Sequence, residues 1–473
     1  MSPVLDSLAD ILGPQNLLRD AEGMAPYALD WRRAVGVAPL AVLRPGTTAE
    51  VAESVRRCAA AGLAIVPAGG RTGLAGGAVA LPGGPPAVVL SLERLNRIRT
   101  VDALDFSIVA EAGCVVQRVQ GAAAEVDRLF PIAWGAQGSA QIGGMLGTNA
   151  GGVRTLRWGN ARELVLGLEV VLPDGRVLDD LRRVRKDNSG YALRHLFIGA
   201  EGTLGVITAA AMRLVPPLRA VETAFVAVPS PHAALALLSR VMGAGAEVVA
   251  FELIGRPCLE IVARHAPPGL RLPLPVESPW YVMVELAAAH AAVPVRAMLE
   301  DALAAAAEAG EVADAALAES EAQRAAFWRI REDFPEFSRM DGAAAVSTDT
   351  AVPVSAVPEF LARAERALAE RWPEGRMVAL GHAGDGNIHL SLKAPPGVTR
   401  EAWVARAGEA DMLVNGIAVA LGGSFSAEHG IGVSKLHAMA ALKNPVAVEV
   451  MRGIKRTLDP RGLMNPGKVL PGN

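Results

Sequence analysis

Two glycine-dense segments constrain this chain more than any other feature. Pro67-Ala-Gly-Gly-Arg-Thr-Gly-Leu-Ala-Gly-Gly77 directly follows the apolar run Leu63 to Val66, and Gly135 to Gly152 is glycine-rich with Ser139, Thr148 and Asn149 interleaved. Glycine lets backbone come close to a ligand and turn successive N–H groups toward an anion. The first segment is not followed by a helix: Ala78 to Pro86 is rich in Gly and Pro, and a strand resumes at Val88 to Leu92. A dinucleotide fold of Rossmann type or a P-loop needs a helix N-terminus here, and no G-K-[ST] is present, so both readings fail. Either segment alone reads equally as a flexible loop. Two in one domain suit a large, elongated, phosphate-bearing ligand.

The surrounding elements read as α+β. Leu40 to Leu43 is a strand, and Thr47-Thr-Ala-Glu50 is a capping box opening a helix that puts Val51, Val55 and Cys58 on one face and ends at Gly62. A strand at Ser107 to Ala112, a helix at Val115 to Leu129 and a hairpin turning at Asp174-Gly175 follow. Leu196 to Thr208 reads as one or two strands bent around glycines. Pro216-Pro217 marks a boundary. At 473 residues a single core is not expected, and a net charge of -3 gives no electrostatic case for nucleic acid. Met1 to Asn16 lacks the basic and apolar regions of a signal peptide, and the alanine-rich stretches are broken by charges, so no transmembrane segment is expected. Cys58, Cys114 and Cys258 are widely spaced, which fits structural thiols in a reducing compartment.

The second half opens with the pattern strand (Thr223 to Val228), helix (His232 to Met242), strand (Glu247 to Ile254), strand (Trp280 to Leu286), helix (Pro294 to Ala309). This predicts an antiparallel sheet with helices on one face. Arg329 and Arg331 are two apart on a helix and face different ways. Met377 to Leu380 and Leu390 to Leu392 flank Gly381-His-Ala-Gly-Asp-Gly-Asn-Ile-His389, a β-hairpin whose turn needs residues tolerant of positive φ. Such a turn sets His382 and His389 side by side. With Glu428 of the Glu428-His429 pair they form a plausible divalent-metal set with an open position for substrate. One histidine alone would more simply be a core residue. A single helix is expected from Arg400 to Leu421.

The ordered motifs P-x-G-G-x-T-G, G-S-x-x-I-G-G-x-x-x-T-N-A-G-G and G-x-E-G-T-L-G-V-I-T closely resemble the flavin-binding domain of the vanillyl-alcohol oxidase and p-cresol methylhydroxylase type. With the histidine hairpin and Glu428-His429-Gly430, the chain is similar to the branch that holds D-2-hydroxyglutarate dehydrogenase, D-lactate dehydrogenase and the glycolate oxidase flavin subunit. The resemblance runs from about Leu40 to Leu470. It implies a two-part FAD-binding domain over 1–217, a cap (substrate) domain with an antiparallel sheet over 218–425, and a segment over 426–473 returning to the first. It places the FAD against Pro67, Ala68, Gly69, Gly70, Arg71, Thr72, Gly73 and Leu74, and along Ser139, Gly143, Gly144, Thr148 and Gly152. Glu201, Gly202 and Ile207 would close over its adenine-to-ribityl portion, and Asn465 would approach the ring. Neither segment supplies the histidine or cysteine that tethers flavin in some relatives, so the flavin is expected to be non-covalent.

The resemblance also implies that Arg331 binds the substrate carboxylate, a grip suited to guanidinium. His382, His389 and Glu428 would hold Zn²⁺ or Mn²⁺, His429 would take the hydroxyl proton, and Asn387 would orient the carboxylate or serve the turn. Relatives that oxidise D-2-hydroxyglutarate carry a lysine where this chain has Ser347 and a hydroxyl residue where it has Pro335. The substrate is therefore expected to be a small 2-hydroxy acid, D-2-hydroxyglutarate-like or D-lactate-like. The alternatives are a glycolate oxidase flavin subunit and a non-catalytic flavin-binding subunit. An electron-transfer flavoprotein, a quinone and a cytochrome stay open as electron acceptors, as does a homodimer. The expected location is cytoplasmic, with attachment to the periphery of the inner membrane as a variant.

Overall fold

The computed structural model describes residues 2–472, which form two compact units. The first comprises Met1–Gly152, Trp158–Pro217 and Glu428–Asn473, and the second comprises Val153–Arg157 and Leu218–Ala427.

The first unit holds two sheets. Strands β1 (Leu17–Leu18), β2 (Val42–Leu43), β3 (Ala64–Ala68) and β4 (Ala87–Ser91) run in the order β1-β2-β4-β3, with β2, β4 and β3 parallel. Pro67 lies in β3, an edge strand, where its missing N–H costs no ladder bond. The helix Thr48–Ala61 begins as the capping box predicts: Thr47 accepts from the Glu50 N–H, and Gly62 closes it in the left-handed region at φ 69°. Its Val51, Val55 and Cys58 are fully buried against β3 and β4. The other sheet joins β5 (Ile98–Asp102), β6 (Ser107–Glu111), β7 (Val165–Val171), β8 (Val177–Asp180) and β9 (Val206–Arg213) in the antiparallel order β5-β6-β9-β7-β8. Residues 463–465 return to β3: Asn465 N–H donates to Ile65 O at 2.8 Å and Ile65 N–H to Leu463 O.

The second unit is a seven-stranded antiparallel sheet, β10 (Ala220–Val228), β11 (Glu247–Gly255), β12 (Trp280–Ala288), β13 (Asp314–Leu317), β14 (Ala345–Ala351), β15 (Arg376–His382) and β16 (Asn387–Lys393), ordered β13-β10-β12-β11-β15-β16-β14.

Four expectations need correction. Helices cover both faces of this sheet. Val226, Val282 and Val284 face a core shared with helices Pro231–Met242, Val295–Glu308 and Val357–Arg371, while Phe225, Tyr281 and Met283 face one shared with helices Arg256–His265, Glu321–Glu332 and Phe334–Met340. The strands are apolar at consecutive positions, the signature of burial on both sides. The second glycine segment, which alone reads as a flexible loop, holds a short helix, Ile142–Gly147, anchored by buried Ile142 and Leu146. Leu196 to Thr208 combines the end of a helical turn, Arg194–Phe197, with the start of β9. The helix expected from Arg400 to Leu421 is two, Arg400–Ala407 and Ala410–Ala420, parted at Gly408, where a Cβ would lie 2.5 Å from Val404 O.

Candidate active site

In the first unit the two glycine segments meet backbone to backbone. A Cβ on Gly70 would lie 2.2 Å from Ser139 O, so only glycine allows this approach, whereas a Cβ on Gly73 would meet nothing within 4 Å. Gly143, Gly152 and Gly202 instead pack on Ala112, Ala133 and Pro67. Gly144 lies beside Gly69, and Ile207 is a buried member of β9 paired with Val170. Thr148 caps the short helix by donating to Gly144 O, Ser139 is exposed, and Arg71, in the left-handed region at φ 54°, stacks on Tyr27. Thr72 and Leu74 are half-buried and Ala68 is buried in β3.

These segments fit FAD on two grounds. Close-packed glycines leave an open backbone edge at Gly73, and buried Asn465 and half-buried Gln141 each keep a buried side-chain oxygen without a hydrogen-bond partner. Buried polar atoms are ordinarily satisfied, so a ligand edge is their natural complement. Asn465 Nδ2 donates to Gly77 O and Glu201 O at 2.8 and 2.7 Å, which fixes the direction of its oxygen.

Glu201 does something the motif did not predict. Its carboxylate accepts from the N–H groups of Ile431 and Gly432 at 2.7 and 2.9 Å, and its own N–H donates to Gly147 O. It thereby ties the segment that follows His429 to the second glycine segment. Burial raises its pKa, and the two N–H donors offset this only in part. Nearby Lys468 donates to Val79 O, and burial depresses its ammonium to about 8.

In the second unit the hairpin forms as expected. Gly386, at φ 83°, turns the chain where a Cβ would sit 2.0 Å from Val352 O. Sheet register then lines up a polar row. Leu253 and Ile254 of β11 pair with Gly381 and Leu380 of β15, so one step further Glu252 stands across from His382, which pairs with Asn387. His389 lies two residues along β16, on the same face, opposite Asp349 of β14. The two imidazole centroids are 5.6 Å apart, edge to face, and His389 Nδ1 is 3.7 Å from Asp349 Oδ1. Asn387 Nδ2 donates to Asp349 Oδ1 and Thr350 O, while its buried Oδ1 has no partner. The atom it offers is therefore an acceptor, suited to a hydroxyl rather than to the carboxylate expected.

Arg331 and Arg329 part company as their spacing requires. Arg329 is exposed with Asp333, and Arg331 is buried. Its Nε donates to Glu252 Oε2 at 2.7 Å, and Glu252 Oε1 lies 2.6 Å from His382 Nδ1. Burial alone would raise the pKa of Glu252; the imidazole of His382, in its protonated, metal-free form, and the guanidinium of Arg331 outweigh it and hold the carboxyl at about 2. Sequence reasoning missed Glu252. The signal was there in a charged residue centred in the apolar run Val248 to Ile254.

Glu428 and His429 open the final segment of the first unit. Ala427, immediately before them, donates its N–H to Asp349 O. Ser347 Oγ meets Ser391 Oγ at 2.8 Å, and Pro335 sits in the first turn of helix Phe334–Met340. The three cysteines are buried, with thiols pushed by burial to about 12, 11 and 12 for Cys58, Cys114 and Cys258, as core thiols are. No helix among the described residues is long and apolar enough to cross a membrane.

Comparison with known proteins agrees with this anatomy. The FAD binding domain family matches residues 39–180, and the C-terminal domain family of FAD linked oxidases matches residues 218–469. The chain is 37% identical over 467 residues to D-2-hydroxyglutarate dehydrogenase of Xanthomonas citri pv. viticola, covering 99% of this chain and 97% of that one. It is 37% identical to the mitochondrial D-2-hydroxyglutarate dehydrogenase of Rattus norvegicus, over 97% and 83% of the two chains. Among solved structures, substrate-bound p-cresol methylhydroxylase aligns with a TM-score of 0.73 at 16% identity over 99% and 96%, and alkyldihydroxyacetonephosphate synthase with 0.75 at 17% over 99% and 86%. The chain shares its fold with p-cresol methylhydroxylase, belongs to the FAD linked oxidases, in the branch that holds the D-2-hydroxyglutarate dehydrogenases, and is an FAD-dependent oxidoreductase.

Proposed function

We propose that this protein oxidises a D-2-hydroxy acid to the 2-oxo acid on a non-covalently held FAD. The observation that carries the reading is the pair of imidazoles 5.6 Å apart on the polar row of the cap sheet, next to the buried Arg331. The names of the full-length relatives point the same way.

His382, His389 and Glu428 are the ligand set we assign to a Zn²⁺ or Mn²⁺, two imidazoles and a carboxylate that leave a position for substrate. When bound, such a cation favours the ionised form of a hydroxyl next to it. FAD supplies the hydride acceptor for the C2–H bond. The chain's own residues do the rest. Arg331 uses Nε on Glu252, so its Nη edge is the one that takes the substrate carboxylate. Asn387 offers Oδ1 to the C2 hydroxyl. His429 accepts the hydroxyl proton as C2 becomes a carbonyl. Ser347 and Pro335 present no cation for a second carboxylate, so D-lactate-like acids stand beside D-2-hydroxyglutarate-like ones as substrates, and glycolate is the nearest competitor. A non-catalytic flavin subunit would have no use for the Arg331, His382 and His389 arrangement. Electrons then pass to an electron-transfer flavoprotein, quinone or cytochrome, in a cytoplasmic protein.

The test is an anaerobic titration of the purified protein with D and L hydroxy acids, metal content measured first, following flavin absorbance. Bleaching by D acids is expected, and bleaching by none would end the dehydrogenase reading. His429→Ala should retain FAD and metal while losing flavin reduction by at least about a hundredfold, the range of a lost general base. Reduction at the wild-type rate would remove His429 from the mechanism.

A further inference from the structure

Glu252 lies at the centre of the second unit, fully buried, and touches two groups of the site at once. Arg331, 79 residues away in sequence, donates Nε to one oxygen at 2.7 Å; His382, 130 residues away, brings Nδ1 to the other at 2.6 Å. An ionised carboxylate only accepts hydrogen bonds, so the proton of a neutral His382 sits on Nδ1. That leaves Nε2 as the nitrogen with a lone pair. A carboxylate behind an imidazole in this way fixes both its tautomer and its ring orientation. The guanidinium is fixed by the same group, since Nε points back to Glu252 and the Nη edge faces away.

We propose that Glu252 is a positioning residue that sets His382 as an Nε2 metal ligand and Arg331 as a carboxylate grip, so that one buried carboxylate sets the geometry of both. This rests on the reading above, in which His382 binds metal and Arg331 binds substrate. Another buried glutamate of the same sheet, Glu285, is the internal control. It accepts from Arg324, Trp328 and Thr223, with no histidine among these partners.

Two measurements test the idea. In the first, Zn²⁺ affinity is measured by competition with a chromophoric chelator for wild type, Glu252→Gln, Glu285→Gln and His382→Ala, with FAD stoichiometry recorded for each. Glu252→Gln should bind Zn²⁺ about 10–100-fold more weakly, the usual loss for a carboxylate behind a ligating histidine, with FAD unchanged. Glu285→Gln should bind as wild type does. At saturating Zn²⁺, Glu252→Gln should also raise KM for the hydroxy acid through the loosened Arg331. Wild-type affinity in Glu252→Gln while His382→Ala loses metal would overturn the role of Glu252 alone. Wild-type affinity in His382→Ala would instead remove the ligand reading beneath it. The second measurement does not depend on a variant folding. Nitrogen-15 NMR of the histidine-labelled, Zn²⁺-loaded wild-type protein should show His382 protonated at Nδ1, and protonation at Nε2 would refute the proposal.

Discussion

Glu252 and Glu285 are two answers to one problem, a carboxylate buried on the same face of the same sheet. Residues 252 and 254 share a face, as do 283 and 285, and Ile254 and Met283 belong to one core. Both carboxylates are met by a single helix, Glu321–Glu332, whose Arg324, Trp328 and Arg331 fall at helical spacing along one side. Arg324 forks onto Glu285 through Nε and Nη2, and Trp328 and Thr223 complete its shell. Glu252 receives only one guanidinium bond, and its second oxygen goes to His382. The first carboxylate is satisfied within the fold, while the second connects the fold to the hairpin.

The comparison predicts unequal costs for equivalent truncations. Arg331→Ala removes the guanidinium bonded to Glu252 and leaves a fully buried carboxylate with His382 as its remaining bonded partner among the described residues. Breaking such a pair from one side costs about 3–5 kcal/mol, read as a shift in the urea midpoint, and substrate-driven flavin reduction should be lost with it. Arg324→Ala should cost less, about 1–2 kcal/mol, because Trp328 and Thr223 still donate to Glu285 and the arginine is partly exposed. Its rate of flavin reduction should stay at the wild-type level. Equal stability losses, or a slowed Arg324→Ala enzyme, would break the distinction between the two sites.

The same residues show what could be read from the chain and what could not. The hairpin was legible because Gly-Asp-Gly-Asn between apolar runs allows few conformations, and period-two alternation then sets His382 and His389 on one face. Arg331 was separable from Arg329 by helical geometry alone. Glu252 and Glu285 were visible only as charges out of place in apolar strands. Their partners lie 39 to 130 residues away in sequence, and no local pattern encodes which of those residues register will bring across. The two-faced sheet was missed for a related reason. Consecutive apolar residues fit a strand buried on both sides or a short buried helix equally well, and the helices Arg256–His265 and Phe334–Met340 that supply the other face are short, of 10 and 7 residues. Glu201 was legible as a motif, but the backbone groups it accepts from, Ile431 and Gly432, belong to a segment 230 residues on.

Glu201 extends the contrast to a carboxylate buried without a guanidinium, and it carries the smallest effect expected. The N–H groups of Ile431 and Gly432 and the charges of Lys435 and Lys468 favour its ionised form, yet burial outweighs them and the pKa rises, where at Glu252 the opposing partners win and it falls. Above the ordinary value of 4.5 the folded protein therefore holds a proton that the unfolded chain has released. Stability from this group is fully present below that value and declines as pH rises through the native pKa, with a slope of at most about 1.4 kcal/mol per pH unit for one proton. Glu201→Gln cannot titrate, so its stability relative to wild type should improve as pH is raised from 4.5 toward neutrality. Urea midpoints of the two proteins across that range measure the difference. A gap that stays constant with pH would mean that the backbone donors and the two lysines already compensate for burial, and that Glu201 is ionised in the native protein at neutral pH as Glu252 is.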